Sequence, residues 1–152
     1  MKDLTTEEVL KRFKHKDLTP QIQSETNQVY AFLKINDQEF PLFARIYEGK
    51  NLLQLISFFP KQILTKRISD TARLLHHFNK ELDLPGFGMD ERSKVVFFRC
   101  MIPTFQGKLD PEIFNSFYNS LFHACKQFAE VIDAISSGEL SMDDFLKKPN
   151  KK

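Results

Sequence analysis

From Val29 onward the chain alternates apolar and polar positions in short runs that end at turn signals. Val29, Ala31, Leu33 and Ile35 fall on one side of the first run, and Tyr30, Phe32 and Lys34 on the other. A period of two predicts a strand with one buried face. Asn36-Asp37 marks a tight turn. Phe40 to Tyr47 repeats the pattern, with Phe40, Leu42, Ala44 and Ile46 set against Phe43, Arg45 and Tyr47. After the turn at Glu48 to Asn51, Leu52 to Phe59 is nearly all apolar, which suits a more central strand. Pro60 ends it.

Other stretches carry helical spacing. Thr5 to Lys16 predicts a helix capped by Thr5 or Thr6, with Glu7 and Glu8 at its positive end and Val9, Leu10 and Phe13 as a narrow apolar stripe. Leu18 to Asn27 is polar, holds Pro20 and reads as a connector. Leu64 to Leu82 places Leu64, Ile68, Leu75, Phe78 and Leu82 along one side, with Ala72 and Leu74 nearby. Pro85-Gly86 closes that helix, and Leu84 to Ile102 then reads as a β-hairpin with Pro103 as its stop. The longest helix starts at Asp110-Pro111 and runs to about Ser136, with Gly138 as a left-handed stop. Its stripe of Ile113, Phe117, Leu121, Ala124, Cys125, Phe128, Ile132 and Ile135 is widened by Phe114, Tyr118 and Phe122, so it must touch more than one surface. Ser141 to Leu146 is a short capped turn. The order α-β-β-β-α-β-β-α predicts an α+β fold, an antiparallel sheet packed with helices. One domain over 1–146 is expected, followed by a disordered Lys-rich tail over 147–152.

Composition narrows the class of work. The 152 residues include 16 Phe, no Trp and 3 Tyr. Rings dominate cores and contact surfaces alike, and a domain this small leaves some of them for a surface. The formal net charge of +2 is close to balanced and calls for no nucleic-acid partner. Cys100 and Cys125 read as small buried hydrophobes in a reducing compartment. No apolar run has the length of a membrane span, and the start lacks the apolar core of a secretion signal, so a cytoplasmic location is expected.

No motif for chemistry stands out. Gly86-Phe87-Gly88 leads into a strand and lacks the strand-to-helix setting of a phosphate loop. His76 and His77 diverge by about 100° on a helix and cannot chelate one ion by themselves. The acids read as caps and turn residues, Asp90-Glu91 among them. No cofactor, metal or catalytic set is expected.

The remaining signal is a surface. Tyr30, Phe32, Phe43, Arg45 and Tyr47 mix rings with long cations on one strand face, and Phe97 with Arg99 has the character to join them. Two arrangements satisfy this pattern. The rings lie under a helix with the cations snorkelling at the edge, or the face stays open and takes an extended peptide or a second subunit.

The text also resembles a known family. Ala72-Arg73-Leu74-Leu75-His76-His77-Phe78-Asn79-Lys80-Glu81-Leu82, then Gly86-Phe87-Gly88-Met89-Asp90, then Val95-Val96-Phe97-Phe98-Arg99, is similar to the helix–strand–strand core of YbjN-like domains. The element order resembles that of type III secretion chaperones. The resemblance implies a small cytoplasmic homodimer without enzymatic activity that holds an extended segment of a client protein, with Tyr30, Phe32, Phe43, Arg45 and Tyr47 as the client-binding candidates. It implies a dimer contact through the middle helix or the late hairpin, here Leu74, Leu75 and Phe78, or Val95 and Phe97. The alternative it leaves is a regulatory or scaffolding module that binds a folded partner or a small ligand. Secretion chaperones of this kind are typically acidic, whereas this chain is slightly basic.

Overall fold

The structure, a computed structural model, describes residues 1–147. The expected tail lies outside them except for Lys147, which ends the last helix. The elements run β1 (Lys2–Asp3), α1 (Thr6–Lys14), β2 (Gln21–Gln23), β3 (Gln28–Ile35), β4 (Gln38–Ile46), β5 (Leu52–Phe58), α2 (Ile68–Glu81), β6 (Phe87–Asp90), β7 (Val95–Pro103), β8 (Lys108–Leu109), α3 (Pro111–Ser137) and α4 (Met142–Lys147). Six strands form one antiparallel sheet in the order β2-β3-β4-β5-β7-β6. The apolar run of β5 does take an interior place, between β4 and β7.

Local chemistry sets the boundaries. Asn36 and Asp37 both adopt positive φ, 51° and 62°, and turn β3 into β4 in two residues. That mirror-image turn matches the twist of the paired strands. Thr5 caps α1 by accepting from the Glu8 N–H at 3.1 Å, and Asp110 caps α3 by accepting from the Glu112 N–H at 2.9 Å. Asp90 holds the β6–β7 turn by accepting from the Arg92 and Ser93 N–H groups. Gly138 ends α3 with φ 87°, the left-handed conformation that glycine adopts without strain.

Among the described residues the helices pack on one side of the sheet. Val29, Ala31, Leu33, Phe40, Leu42, Ala44, Leu53, Leu55, Val96, Phe98 and Ile102 are buried there. They share one cluster with Val9 and Phe13 of α1, Leu74, Leu75 and Phe78 of α2, and Phe114, Leu121, Cys125, Ile132 and Ile135 of α3. Rings knit the layers. Phe78 stacks on Phe128 at 4.0 Å between centroids, and Phe87 meets Phe98 edge-on at 4.9 Å.

Several expectations need correction. The Leu18–Asn27 connector contains a strand, β2, which pairs Gln21–Gln23 with Tyr30–Gln28. Its pairing is backbone-made, so its polar side chains gave no sign of it. A two-residue ladder of β1 with β8 was also missed, for the same reason. Leu64 lies outside α2, on which Ala72 is exposed, and Ile113 is exposed on α3. Leu74, Leu75 and Phe78, expected at a dimer contact, are instead sealed in the chain's own core against α3 and β6. A side chain already enclosed has no surface left for a second subunit.

Candidate functional site

The opposite side of the sheet carries a continuous apolar band. Strand register sets its rows. Tyr30 lies opposite Phe43, Phe43 opposite Ile56, and Ile56 opposite Arg99. In the next row Phe32 lies opposite Pro41, Phe58 opposite Phe97, and Phe97 opposite Gly88. A third row runs Gln28, Arg45, Gln54, Met101. Phe32 is 48% exposed, Arg45 and Arg99 are exposed, and Tyr30, Phe43, Ile56, Phe58 and Phe97 are half-buried. None of these rings belongs to the buried cluster or packs on it. The sequence left two arrangements open, and the structure has the face open.

The rings touch one another. Tyr30 stacks on Phe43 at 6.0 Å, Phe43 meets Phe58 edge-on at 6.0 Å, and Phe58 meets Phe97 edge-on at 6.2 Å. Gly88 makes room for the last of them, because a Cβ there would stand 2.7 Å from Phe97 Cζ. Polar groups fix the margins. The Tyr30 hydroxyl and Gln21 Oε1 are 2.6 Å apart, and the Tyr47 hydroxyl donates to Gln54 Oε1 at 3.3 Å. The Arg45 guanidinium lies 5.2 Å from the Tyr47 ring centroid, within cation–π range.

All five client-binding candidates, Tyr30, Phe32, Phe43, Arg45 and Tyr47, lie on β3, β4 or the residue after β4, and the four within strands share the open face. Of the dimer candidates only Val95 and Phe97 remain partly accessible, and Phe97 is part of the band. Ile56 and Phe58 complete the band and were missed. Their strand is apolar on both faces, so alternation could not single them out, although position parity with Gln54 would have.

Three ionisable side chains away from the band are shifted by burial. Burial holds the Cys100 thiol up at about 12, and burial with the neighbouring Cys100 pushes Cys125 higher still. A thiol acts as a nucleophile through its thiolate, which burial disfavours at both positions. Burial also raises Tyr118 to about 12. Among the described residues no three His, Cys, Asp or Glu side chains converge as metal ligands, and no helix is long and apolar enough to cross a membrane.

Helices on one face of an antiparallel sheet, with the other face open, define an α+β protein whose fold resembles that of type III secretion chaperones. The chain belongs to the YbjN family, whose model, described as "Putative bacterial sensory transduction regulator", matches residues 5–134. A chain of the ExsC–ExsE complex is similar in fold, with a TM-score of 0.55 and 17% identity over 86% of this chain and 96% of that one. A chain of the HopA1–SchA chaperone–effector complex aligns at a TM-score of 0.49 and 18% identity, over 82% of this chain and 94% of that one. No curated protein sequence matches the chain.

Proposed function

We propose that this protein is a non-enzymatic polypeptide-binding protein, a chaperone or adaptor that holds an extended segment of a client on the open face of its sheet. The observation that carries the reading is the unbroken band from Tyr30 through Phe43 and Phe58 to Phe97, left bare by every helix among the described residues. An apolar patch of this kind, rimmed by Arg45 and Arg99, costs solubility unless a partner covers it. Tyr30, Phe32, Phe43, Arg45 and Tyr47 are the contact residues in this reading. The fold shared with a chain of the ExsC–ExsE complex supports it. Two copies associate in the same reading, with Val95 and Phe97 at the surface concerned. It places the protein in the cytoplasm.

The test is capture of the partner by the tagged full chain in its own cell. A segment of the partner is expected to resist protease in the complex while having no globular core of its own. Phe43→Asp is expected to abolish that capture with the melting temperature unchanged. Capture that survives Phe43→Asp sinks the reading. Sedimentation equilibrium at micromolar concentration tests the pairing of copies, and a strict monomer contradicts it.

A second reading, a regulatory module for a folded partner or small ligand, is favoured by the family's description and by a cleft of about 570 Å³ between Asn79, Gly86, Phe97, Arg99 and Phe117. A captured partner with an intact folded core supports this second reading over the first.

A further inference from the structure

We infer that the cleft beside the start of β6 binds a small organic acid, one carboxylate on a compact apolar body. This goes beyond the polypeptide-binding reading and deepens the small-ligand one, because it names the chemistry that the cleft accepts. The lining is the first observation. Leu84, Phe87, Phe97, Met101 and Phe117 give the cleft apolar walls, and Arg99 is the one charged residue that lines it. The Arg99 side chain is exposed, and among the described residues it makes no ion pair. An unpaired guanidinium keeps its fork of donors for an anion.

The strand ladder supplies a second donor. Phe59 N–H donates to Val96 C=O at 2.8 Å, so the even-numbered residues of β7 bond toward β5. Arg99 N–H donates to Gly86 C=O at 2.9 Å, so the odd-numbered ones turn toward β6. Strand β6 begins at Phe87, and its pairing with β7 reaches no further than Phe98. Among the described residues no backbone hydrogen bond reaches Met101 from that side, and its N–H is directed into the cleft that it lines. The Gly86 and Phe87 N–H groups are already taken by Asn79 Oδ1, at 3.2 and 2.9 Å. Arg99 and Met101 stand two residues apart, about 6.8 Å along the strand, with side chains on one face. An arginine side chain covers that span, so its guanidinium and the Met101 N–H converge on one carboxylate.

Size and charge select the occupant. The cleft's 570 Å³ falls within the usual range of small-molecule sites, about 300–1,000 Å³. Leu84 and Arg99 at its mouth are exposed, so a bound carboxylate keeps water on its outer oxygen and escapes most of the cost of burying a charge. A cation would meet Arg99 with no acid in the lining to offset it. A neutral apolar molecule would leave the Met101 N–H unmatched. An added strand does not fit, since Arg99 N–H is already bonded and Pro103, the next residue in phase after Met101, has no N–H. Phe97 lines the cleft and also ends the aromatic band, so a bound acid sits beside the proposed partner surface.

Titration of phenylbutyrate into the isotope-labelled full-length protein, followed by amide NMR, tests this. At millimolar concentration the acid is expected to shift the Met101 amide. Phenylbutanamide, with the same body and no charge, and acetate, with the charge and no body, are each expected to bind at least about tenfold more weakly. Arg99→Gln is expected to weaken the acid about tenfold with the melting temperature unchanged, the worth of one charge-assisted hydrogen bond. Leu84→Asp sets a like charge at the rim and is expected to weaken the acid too. Arg92→Gln, the same loss of charge on the β6–β7 turn, is expected to leave binding as it was. Equal binding of the acid to Arg99→Gln overturns the proposal, as does a Met101 amide that does not move, or acetate binding as tightly as phenylbutyrate. Phenylbutanamide bound in the cleft as tightly as the acid overturns the carboxylate and leaves the small-ligand reading standing. The polypeptide-binding reading stands or falls by partner capture, which needs none of these probes.

Discussion

Single atoms decide two neighbouring glycines differently. A Cβ on Gly88 would press on the far end of the Phe97 ring, which can swing on an open face, whereas a Cβ on Gly86 would run into the backbone oxygen of Arg99. Backbone held in a ladder cannot swing, and Arg99 N–H already donates to Gly86 C=O at 2.9 Å. Gly86→Ala is therefore expected to cost about 2 kcal/mol, within the usual range for overpacking, and Gly88→Ala much less. Urea denaturation of the two variants reads the difference. Asp133 makes a second prediction at this scale. Burial raises its pKa above the ordinary 3.8, and Lys61, 3.8 Å away, only partly opposes this. The folded state thus keeps this proton to higher pH than the unfolded state does, so stability falls as pH rises through the window above 3.8. Asp133→Asn is expected to raise the melting temperature slightly at pH 7 and to leave it unchanged at pH 3, where both states are protonated. A drop at pH 7 contradicts that sign.

At the scale of elements, the short edge strand β6 owes its place to one side chain from α2. Asn79 Nδ2 donates to Phe87 C=O at 2.9 Å, and Asn79 Oδ1 accepts from the Phe87 N–H at 2.9 Å and the Gly86 N–H at 3.2 Å. The amide thereby stands in for a neighbouring strand residue and closes an edge that would otherwise invite pairing. Asn79→Ala leaves three partly buried backbone groups to find water and is expected to cost about 2 kcal/mol, visible as a lower urea midpoint. Asn79→Asp keeps the acceptor, loses the donor and should fall between. The elements themselves were largely legible. Strands β3 and β4 followed from alternation, α3 from its Asp-Pro start and Gly138 stop, and the β6–β7 hairpin from its turn. What escaped was β2, since a three-residue strand of Gln-Ile-Gln has no buried face to leave a period in the sequence. The burial of Leu74, Leu75 and Phe78 escaped for another reason. An apolar stripe shows that a surface is covered, and is silent on whether its own chain or another covers it.

At the scale of the molecule, the sheet divides its aromatics between two jobs, and adjacent residues of β7 show the division. Phe98 is 1% exposed and faces the helices, where Phe87 meets it edge-on at 4.9 Å. Phe97, one residue before it, faces the open side and touches Phe58 at 6.2 Å. A strand points successive side chains to opposite faces, so the two substitutions probe the two layers with the backbone held in common. Phe98→Asp places a carboxylate in the core with no partner, a cost of several kcal/mol that a domain with a total stability of about 5–15 kcal/mol barely survives. It is expected to yield an unfolded or insoluble chain. Phe97→Asp leaves the carboxylate in water and removes only half-buried contacts. Its melting temperature is expected to stay within about 4 °C of the parent, a loss of about 1 kcal/mol or less for a domain of this size. In the proposed role the same variant loses its partner, because the band from Tyr30 to Phe97 is broken at its end. Circular dichroism melting of both variants, with partner capture measured on Phe97→Asp, separates a ring spent on folding from a ring spent on grip. If Phe97→Asp unfolds as readily as Phe98→Asp, the open face is part of the protein's stability and the division between the two layers fails.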